Sequence, residues 1–363
     1  MKIAIIGAAT GQLPLCIKAK EYGIETVCFA WEDGAVCKDY VDKFYPISVT
    51  NKDEIVKVCL SEKVNGVISN ASDLLAEVSA YVSESLSLNG NSYQSILNIR
   101  NKKYVRDISR LIKDLEPIKY FAIHDNIEYP CVVKPITGAA KKGVSYVSNK
   151  AELEDAIKYT NSSEDDIIIE QYIEGLEISV ETISYKKQHY VLQITDKDSS
   201  GAPHFVELGH HQPSIIKKEI KQKLHAIIPI LLDRLNYENG ASHIEFKIDR
   251  NDCIYLIEVN PRGGGDEISA KLVELSTGYD YIRGMLNVAL DSFEKPLITD
   301  NKYSGIYYLC EQTKCLLPAF QEQEQPWVVE KKILDYKLNL ASGNYDRNGF
   351  LIYRSCFPKP LNK

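Results

Sequence analysis

Over the first hundred residues, short apolar runs alternate with stretches whose apolar positions recur at helical spacing. The apolar runs predict strands at 2–6, 26–30 and 66–69, and the helical spacing predicts helices over 13–22 and 52–61. Strands and helices alternating in this way build a parallel sheet covered on both faces. A further helix is expected over 101–115. The pattern then changes. Strands are expected at 130–134, 143–147, 167–171, 177–184 and 189–195, with one helix over 150–160, as in a small α+β lobe. A long helix over 217–235, strands at 243–248 and 253–260, and a helix over 267–276 follow. The tail, from about 300, is expected to end in a hairpin over 344–354 turned by Asp346-Arg-Asn-Gly349.

Composition narrows the class. The 363 residues exceed one ordinary domain, and at roughly 150 residues each they make two or three. A net charge of −7 excludes a general nucleic-acid binder, so an anionic ligand must meet a local cluster of cations. The nine cysteines are scattered without a Cys-x-x-Cys pair, and several sit in apolar runs. They are expected to be buried thiols in a reducing cytoplasm. Gly7 and Gly11 break the N-terminal apolar run too early for a signal peptide, and no stretch is long enough to span a membrane. Gly7-Ala-Ala-Thr-Gly11 lies where a dinucleotide fold keeps its phosphate loop. Without the full Gly-x-Gly-x-x-Gly it is expected to be a tight strand-to-helix turn.

Three constellations carry chemistry. In Ile257-Glu-Val-Asn-Pro-Arg262, Glu258 interrupts an apolar strand, where a carboxylate must be paired or bound to a cation. Glu258 and Asn260 share a strand face, and Glu245 sits in a similar setting across a turn at Arg250-Asn-Asp252. Two carboxylates and an amide oxygen suit Mg²⁺ on nucleotide phosphates; salt bridges to Lys247 and Arg262 are the plainer alternative. Pro130-Cys-Val-Val-Lys-Pro135 ends an apolar strand on Lys134, followed by Gly138-Ala-Ala-Lys-Lys-Gly-Val144, a loop able to turn N–H groups and charge toward phosphate. In Ile167-Ile-Ile-Glu-Gln-Tyr-Ile-Glu-Gly-Leu-Glu177 a β run breaks at Glu170, offering backbone groups to a nucleobase or forming a solvated edge.

The order of these segments over about 100–290 resembles the ATP-grasp superfamily, with the first hundred residues similar to its usual preceding domain. The implied class is α/β and α+β: an N-terminal α/β domain over 1–95, an ATP-grasp domain over 96–295 with its small lobe at about 121–195, and a segment over 296–363 completing the large lobe. Asn101-Lys-Lys-Tyr-Val-Arg106 is similar to the family's Asp-Lys-x-x-x-Arg, with Asn for Asp. The resemblance implies that Lys102, Lys134 and the loop of Gly138, Lys141 and Gly143 contact ATP phosphates. It implies that Glu170 reads adenine with the backbones of Gln171 and Ile173, and that Glu177 holds the ribose. Glu245, Glu258 and Asn260 would hold Mg²⁺, or Mn²⁺ in its place, and Arg262 would stabilise the transferred phosphoryl group.

Within the superfamily, Phe205-Val-Glu-Leu-Gly-His-His-Gln-Pro213 and Asn260-Pro-Arg-Gly-Gly-Gly-Asp266 look most like the amino-acid ligase branch. Substrate contacts are then expected from His210, Arg262, Gly264, Gly265 and Asp266, with His211 turned away. The expected reaction activates a small carboxylate as an acyl phosphate and passes it to an amine, in a cytoplasmic enzyme with no nucleic-acid or membrane partner. Two-fold dimers are common in the superfamily. An ATP-grasp enzyme of the purine-synthesis or biotin-carboxylase type and a non-catalytic nucleotide-binding module are the alternatives. Biotin carboxylases place Gln-Val-Glu-His where this chain has Gly264-Gly-Asp-Glu267, and a non-catalytic copy has no need of both metal carboxylates.

Overall fold

A computed structural model describes the chain except residues 139–141, 161–165, 203, 323–324, 360 and 362–363. The first hundred residues form the parallel sheet that their alternation predicts, with one strand, Lys43–Tyr45, beyond those expected. Lys43–Tyr45, Glu25–Phe29, Lys2–Ile6 and Gly66–Ile68 form, in that order, an all-parallel sheet. Ile3 through Ile6 are fully buried, as a strand covered on both faces requires. At the turn into helix Leu13–Glu21, Gly7 adopts φ +90°, and a Cβ there would stand 2.4 Å from Leu75 Cδ1. Helices Asp73–Ser85 and Tyr93–Arg100 were not legible in the sequence. The helix expected over 101–115 is shorter, Lys102–Ser109. Asn101 caps it, accepting a hydrogen bond from Tyr104 N at 3.1 Å, so Asn performs the capping that Asp would.

A small antiparallel sheet follows, ordered Tyr120–Phe121, Ile167–Gln171, Cys131–Pro135, Ser145–Val147. It ends at Gln171, which corrects the expected small lobe. The strands expected at 177–184 and 189–195 are Leu176–Tyr185 and Gln188–Ser199, and both belong to a separate eight-stranded sheet. The chain changes sheets at Gly175, where a Cβ would stand 2.2 Å from Ile248 O; only glycine lets the turn pass that close.

The eight-stranded sheet is antiparallel, ordered Ile254–Asn260, Gly240–Ile248, Leu176–Tyr185, Gln188–Ser199, Glu207–Gln212, Tyr303–Leu309, Gly349–Ser355, Val328–Ile333. The expected hairpin over 344–354 is not formed. Asn344–Asp346 is a short 3₁₀ turn, and Gly349–Ser355 pairs with the distant strands Tyr303–Leu309 and Val328–Ile333. A sequence window cannot show partners that far away. One face of this sheet packs against helix Lys218–Arg234, whose Leu224, Ile228 and Leu231 join Ile178, Ile244 and Leu256 in one core. All nine cysteines are free thiols; six are buried as expected, Cys253 is half-buried, and Cys315 and Cys356 are exposed. Among the described residues no helix is long and apolar enough to cross a membrane.

Candidate functional site

The alternation of strand residues builds the site. In Leu176–Tyr185, Ile178 and Val180 enter the core, so Glu177, Ser179 and Glu181 point the other way. In Gly240–Ile248, Ile244, Phe246 and Ile248 enter the core, leaving His243, Glu245 and Lys247 on the polar face. Cross-strand register lines these up: Lys247 and Lys197 flank Glu177, Glu245 faces Ser179, and His243 faces Glu181. The strand Ile254–Asn260 would break the pattern, because a strict alternation starting with Ile254 and Leu256 in the core would send Glu258 there too. A β-bulge prevents this. Glu245 pairs with Glu258 and Phe246 with Leu256, so Ile257 is the extra residue. Beyond it Val259 takes the core, and Glu258 and Asn260 join the polar face.

This face and the small sheet enclose a cavity of about 560 Å³, lined from the small sheet by Lys134 and Glu170 and from the N-terminal part by Ala71, Ser72 and Asp73. Gly138 also lines it. Gly143 holds φ +71° with no room for a Cβ beside Thr160 Cα, at 3.0 Å. Lys141 lies outside the described residues.

At the small-sheet wall, Cys131 and Val133 are buried in the lobe's own core, and Lys134 reaches Glu170. Lys134 Nζ stands 2.5 Å from Glu170 Oε2. Arg106, from the capped helix, donates to both oxygens of the same carboxylate at 2.7 and 3.1 Å and to Ile257 O at 2.7 Å. All three side chains are buried. Burial works against a charged Glu170, but Arg106 and Lys134 outweigh it and hold the carboxyl at about 2. Burial pushes the Lys134 ammonium below its ordinary value, with Glu170 opposing. Two cations thus share one anion, leaving a positive excess at the cavity wall. Glu170, expected to reach adenine, has both oxygens committed to this pair. Gln171 and Ile173 line the same wall; Gln171 N donates to Lys119 O at 2.9 Å, and Ile173 O accepts from Lys247 Nζ at 3.0 Å. Glu177 pairs with Lys247 at 3.3 Å.

At the opposite wall, Glu258 is partly exposed, with Oε1 3.1 Å from Lys102 Nζ. Glu245 Oε1 accepts from Lys197 Nζ at 2.5 Å and from His243 Nε2 at 3.1 Å. Burial opposes the Glu245 charge, yet Lys197 and His243 hold its pKa well below the ordinary range. Asn260 donates to His243 O at 3.2 Å, and its Oδ1 accepts from Arg262 Nη2 at 3.3 Å. Arg262 Nε donates to Asp73 at 3.0 Å, bracing it against the first residue of the N-terminal helix Asp73–Ser85. The alternative to a metal, salt bridges from these carboxylates to Lys247 and Arg262, is not what forms: Glu258 pairs with Lys102 and Glu245 with Lys197 and His243, while Lys247 pairs with Glu177 and Arg262 with Asp73. Two in-register carboxylates beside an amide oxygen form a hard donor set that fits Mg²⁺.

The glycine loop closes the far end. A Cβ on Gly263 would stand 2.6 Å from Asn70 Oδ1, and one on Gly264 would stand 2.9 Å from His243 Nδ1, whereas Gly265 faces open space. Asp266 is gripped by both terminal nitrogens of Arg347 at 2.9 Å. His210 is fully buried, with Nε2 3.3 Å from Glu207 and 3.5 Å from Asp266, both of which line the cavity. Burial lowers its basicity, but Asp266 and Glu207 raise it overall. His211 turns the other way, to Tyr353 Oη and Asp198, each at 3.0 Å. Glu207, His210 and Asp266 could group ligand atoms within 4.8 Å. Lys197 at 3.1 Å from Glu207 and Arg347 on Asp266 already neutralise them, so the cluster is an ion-pair network. Sequence reasoning assigned no site role to Lys197, Glu181, His243 or Arg347; for Lys197, Glu181 and His243 the signal was a polar or charged side chain inside a β run, whereas Arg347 lies outside any strand.

Residues 127–271 match a family described as ATP-grasp domain. The chain is 28% identical to a D-alanine–D-alanine ligase of Thermosipho africanus over 194 residues, half of each chain. It is 24% identical to a phosphoribosylamine–glycine ligase of Fusobacterium nucleatum over 328 residues, 82% of this chain and 74% of that one. Its fold superposes on the L-amino acid ligase of Bacillus licheniformis with a TM-score of 0.77 and 24% identity, over 98% of this chain and 93% of that one. The chain spans about half the length of the first curated relatives it matches.

Proposed function

We propose that this chain, which carries an ATP-grasp domain on an ATP-grasp fold, is an ATP-dependent ligase: it activates a small carboxylate as an acyl phosphate and joins it to an amine, releasing ADP and phosphate. The observation that carries the reading is that Lys102, Lys134, Arg262 and the paired Glu245 and Glu258 all line one cavity. An anionic carboxylate can attack an anionic phosphate only where cations neutralise both. Lys102 and Lys134 bind the nucleotide phosphates, with Gly138, Lys141 and Gly143 contributing from the loop. Gln171 and Ile173 present backbone to the base, Glu177 takes the ribose, and Glu170 holds Lys134 and Arg106 in place. Mg²⁺, or Mn²⁺ in its place, held by Glu245, Glu258 and Asn260, would neutralise phosphate charge. Arg262, braced by Asp73, meets the charge that develops on the transferred group. Gly265 and Asp266 line the substrate end, with His210 behind Glu207 and Asp266 and Gly264 packed against His243 and Glu181. The D-alanine–D-alanine and L-amino acid ligases among the similar proteins favour amino acids as both carboxylate and amine. The free thiols agree with a reducing, cytoplasmic setting. The test is ADP release measured across a panel of amino acids and small carboxylates. Release that rises only with a carboxylate–amine pair supports the reading, and release indifferent to every pair contradicts it.

A further inference from the structure

Behind Glu245 lies a buried chain of two more side chains that the nucleotide and substrate roles leave unused. Glu181 is fully buried in the middle of the eight-stranded sheet. Its Oε1 lies 2.6 Å from His243 Nδ1 and accepts from Ser179 Oγ at 3.0 Å, and its Oε2 has no hydrogen-bond partner among the described residues. His243, itself buried, stands with its other nitrogen, Nε2, 3.1 Å from Glu245 Oε1. The imidazole is therefore clamped between two carboxylates, one sealed in the sheet and one facing the cavity. As packing alone this is a poor choice. A buried carboxylate with an unpartnered oxygen costs free energy that apolar residues of the same volume would not.

The arrangement makes sense as orientation. Lys197 and His243 both bond Oε1 of Glu245, which fixes the carboxylate's rotation, and neither bond takes Oε2. Lys197 sits at the end of a flexible stem, whereas the His243 ring cannot turn without breaking its bond to Glu181. The substrate loop bears on the same pair. A Cβ on Gly264 would stand 2.9 Å from His243 Nδ1 and 3.0 Å from Glu181 Oε2. We infer that Glu181 and His243 are positioning residues for the divalent-cation site: Glu181 locks the imidazole, and the imidazole presents one oxygen of Glu245 to the metal. This rests on the proposed nucleotide–metal reading of the cavity.

Outer partners of metal ligands are worth about ten- to a hundredfold in metal affinity. The test is direct Mn²⁺ binding in the presence of saturating ADP, followed by electron paramagnetic resonance, for the full chain and for Glu181→Gln, His243→Phe and His243→Gln. Wild type should bind Mn²⁺. Glu181→Gln and His243→Phe should weaken that binding by about ten- to a hundredfold, while ADP binding measured without metal stays as in wild type. His243→Gln, which can still donate toward Glu245 but cannot reach both carboxylates, should fall between. If His243→Phe does not fold, Glu181→Gln and His243→Gln decide. Mn²⁺ affinity equal to wild type in the folded variants would overturn the inference. Failure of wild type itself to bind Mn²⁺ with ADP would instead overturn the reading of the cavity.

Discussion

Glu245 and Glu258 face each other in register on adjacent antiparallel strands because Ile257 is bulged out between Leu256 and Glu258. Without the bulge, Glu258 and Asn260 would point into the apolar core beneath the sheet. The pair is thus a product of one irregular residue. It explains how an apolar strand can carry two metal-type ligands without burying an unpaired charge.

Glu258→Gln keeps the shape of the side chain and removes one negative charge from the pair. Because Glu258 is partly exposed and pairs with Lys102, the fold should survive. Turnover should fall by about two to three orders of magnitude, the usual loss for a preorganised electrostatic element. Steady-state ADP production at saturating Mg²⁺ checks this; near-normal rates would remove Glu258 from the metal site.

Lys134→Met takes away one of the two cations that share Glu170. Arg106 still satisfies that carboxylate, so the protein should remain folded. Mg-ATP affinity should drop about tenfold or more, the effect of losing a charge-assisted contact worth about 1.5–3 kcal/mol. A calorimetric titration showing unchanged affinity would confine Lys134 to a structural role.

Glu170 supplies a pH signature. Its folded pKa is depressed from an ordinary 4.5 to about 2, so the stability it contributes is present above pH 4.5 and lost as pH falls toward 2. Glu170→Gln leaves Arg106 and Lys134 buried against a neutral partner, at a cost of about 3–5 kcal/mol near neutrality. The gap between variant and wild type in denaturant-unfolding free energy should close as pH drops from 4.5 toward 2. A gap that stays constant over that range would mean the carboxylate is not held ionised by the two cations.

Most of this site was legible because its charges interrupt apolar strands. Lys134, Glu258 and Glu245 are conspicuous for that reason, and the structure brings all three to one cavity. The two-sheet division was not legible, since the passage at Gly175 depends on how closely its backbone approaches Ile248 O. The bulge at Ile257 leaves no mark in the hydrophobic pattern, because residues 254–257 read as one unbroken apolar run up to Glu258. The braces on the site, Asp73 on Arg262 and Arg347 on Asp266, lie 189 and 81 residues from their partners. Local spacing cannot connect them. Arg106 stood in a recognised segment, but its grip on Glu170 needed the small sheet to be folded first.

The most direct test of the proposed chemistry follows an oxygen atom. If the carboxylate attacks the γ-phosphate, one carboxyl oxygen becomes the bridging oxygen of an acyl phosphate and leaves on phosphate when the amine attacks the carbonyl. With a productive pair of substrates, ¹⁸O placed in the carboxylate should appear in the released inorganic phosphate, one atom per turnover, as read by the isotope shift in ³¹P nuclear magnetic resonance. Arg262→Ala should slow this labelled transfer more than it weakens ATP binding, because the charge it meets grows during the transfer. Phosphate released without label, from a substrate pair that forms the amide, would contradict the acyl-phosphate account.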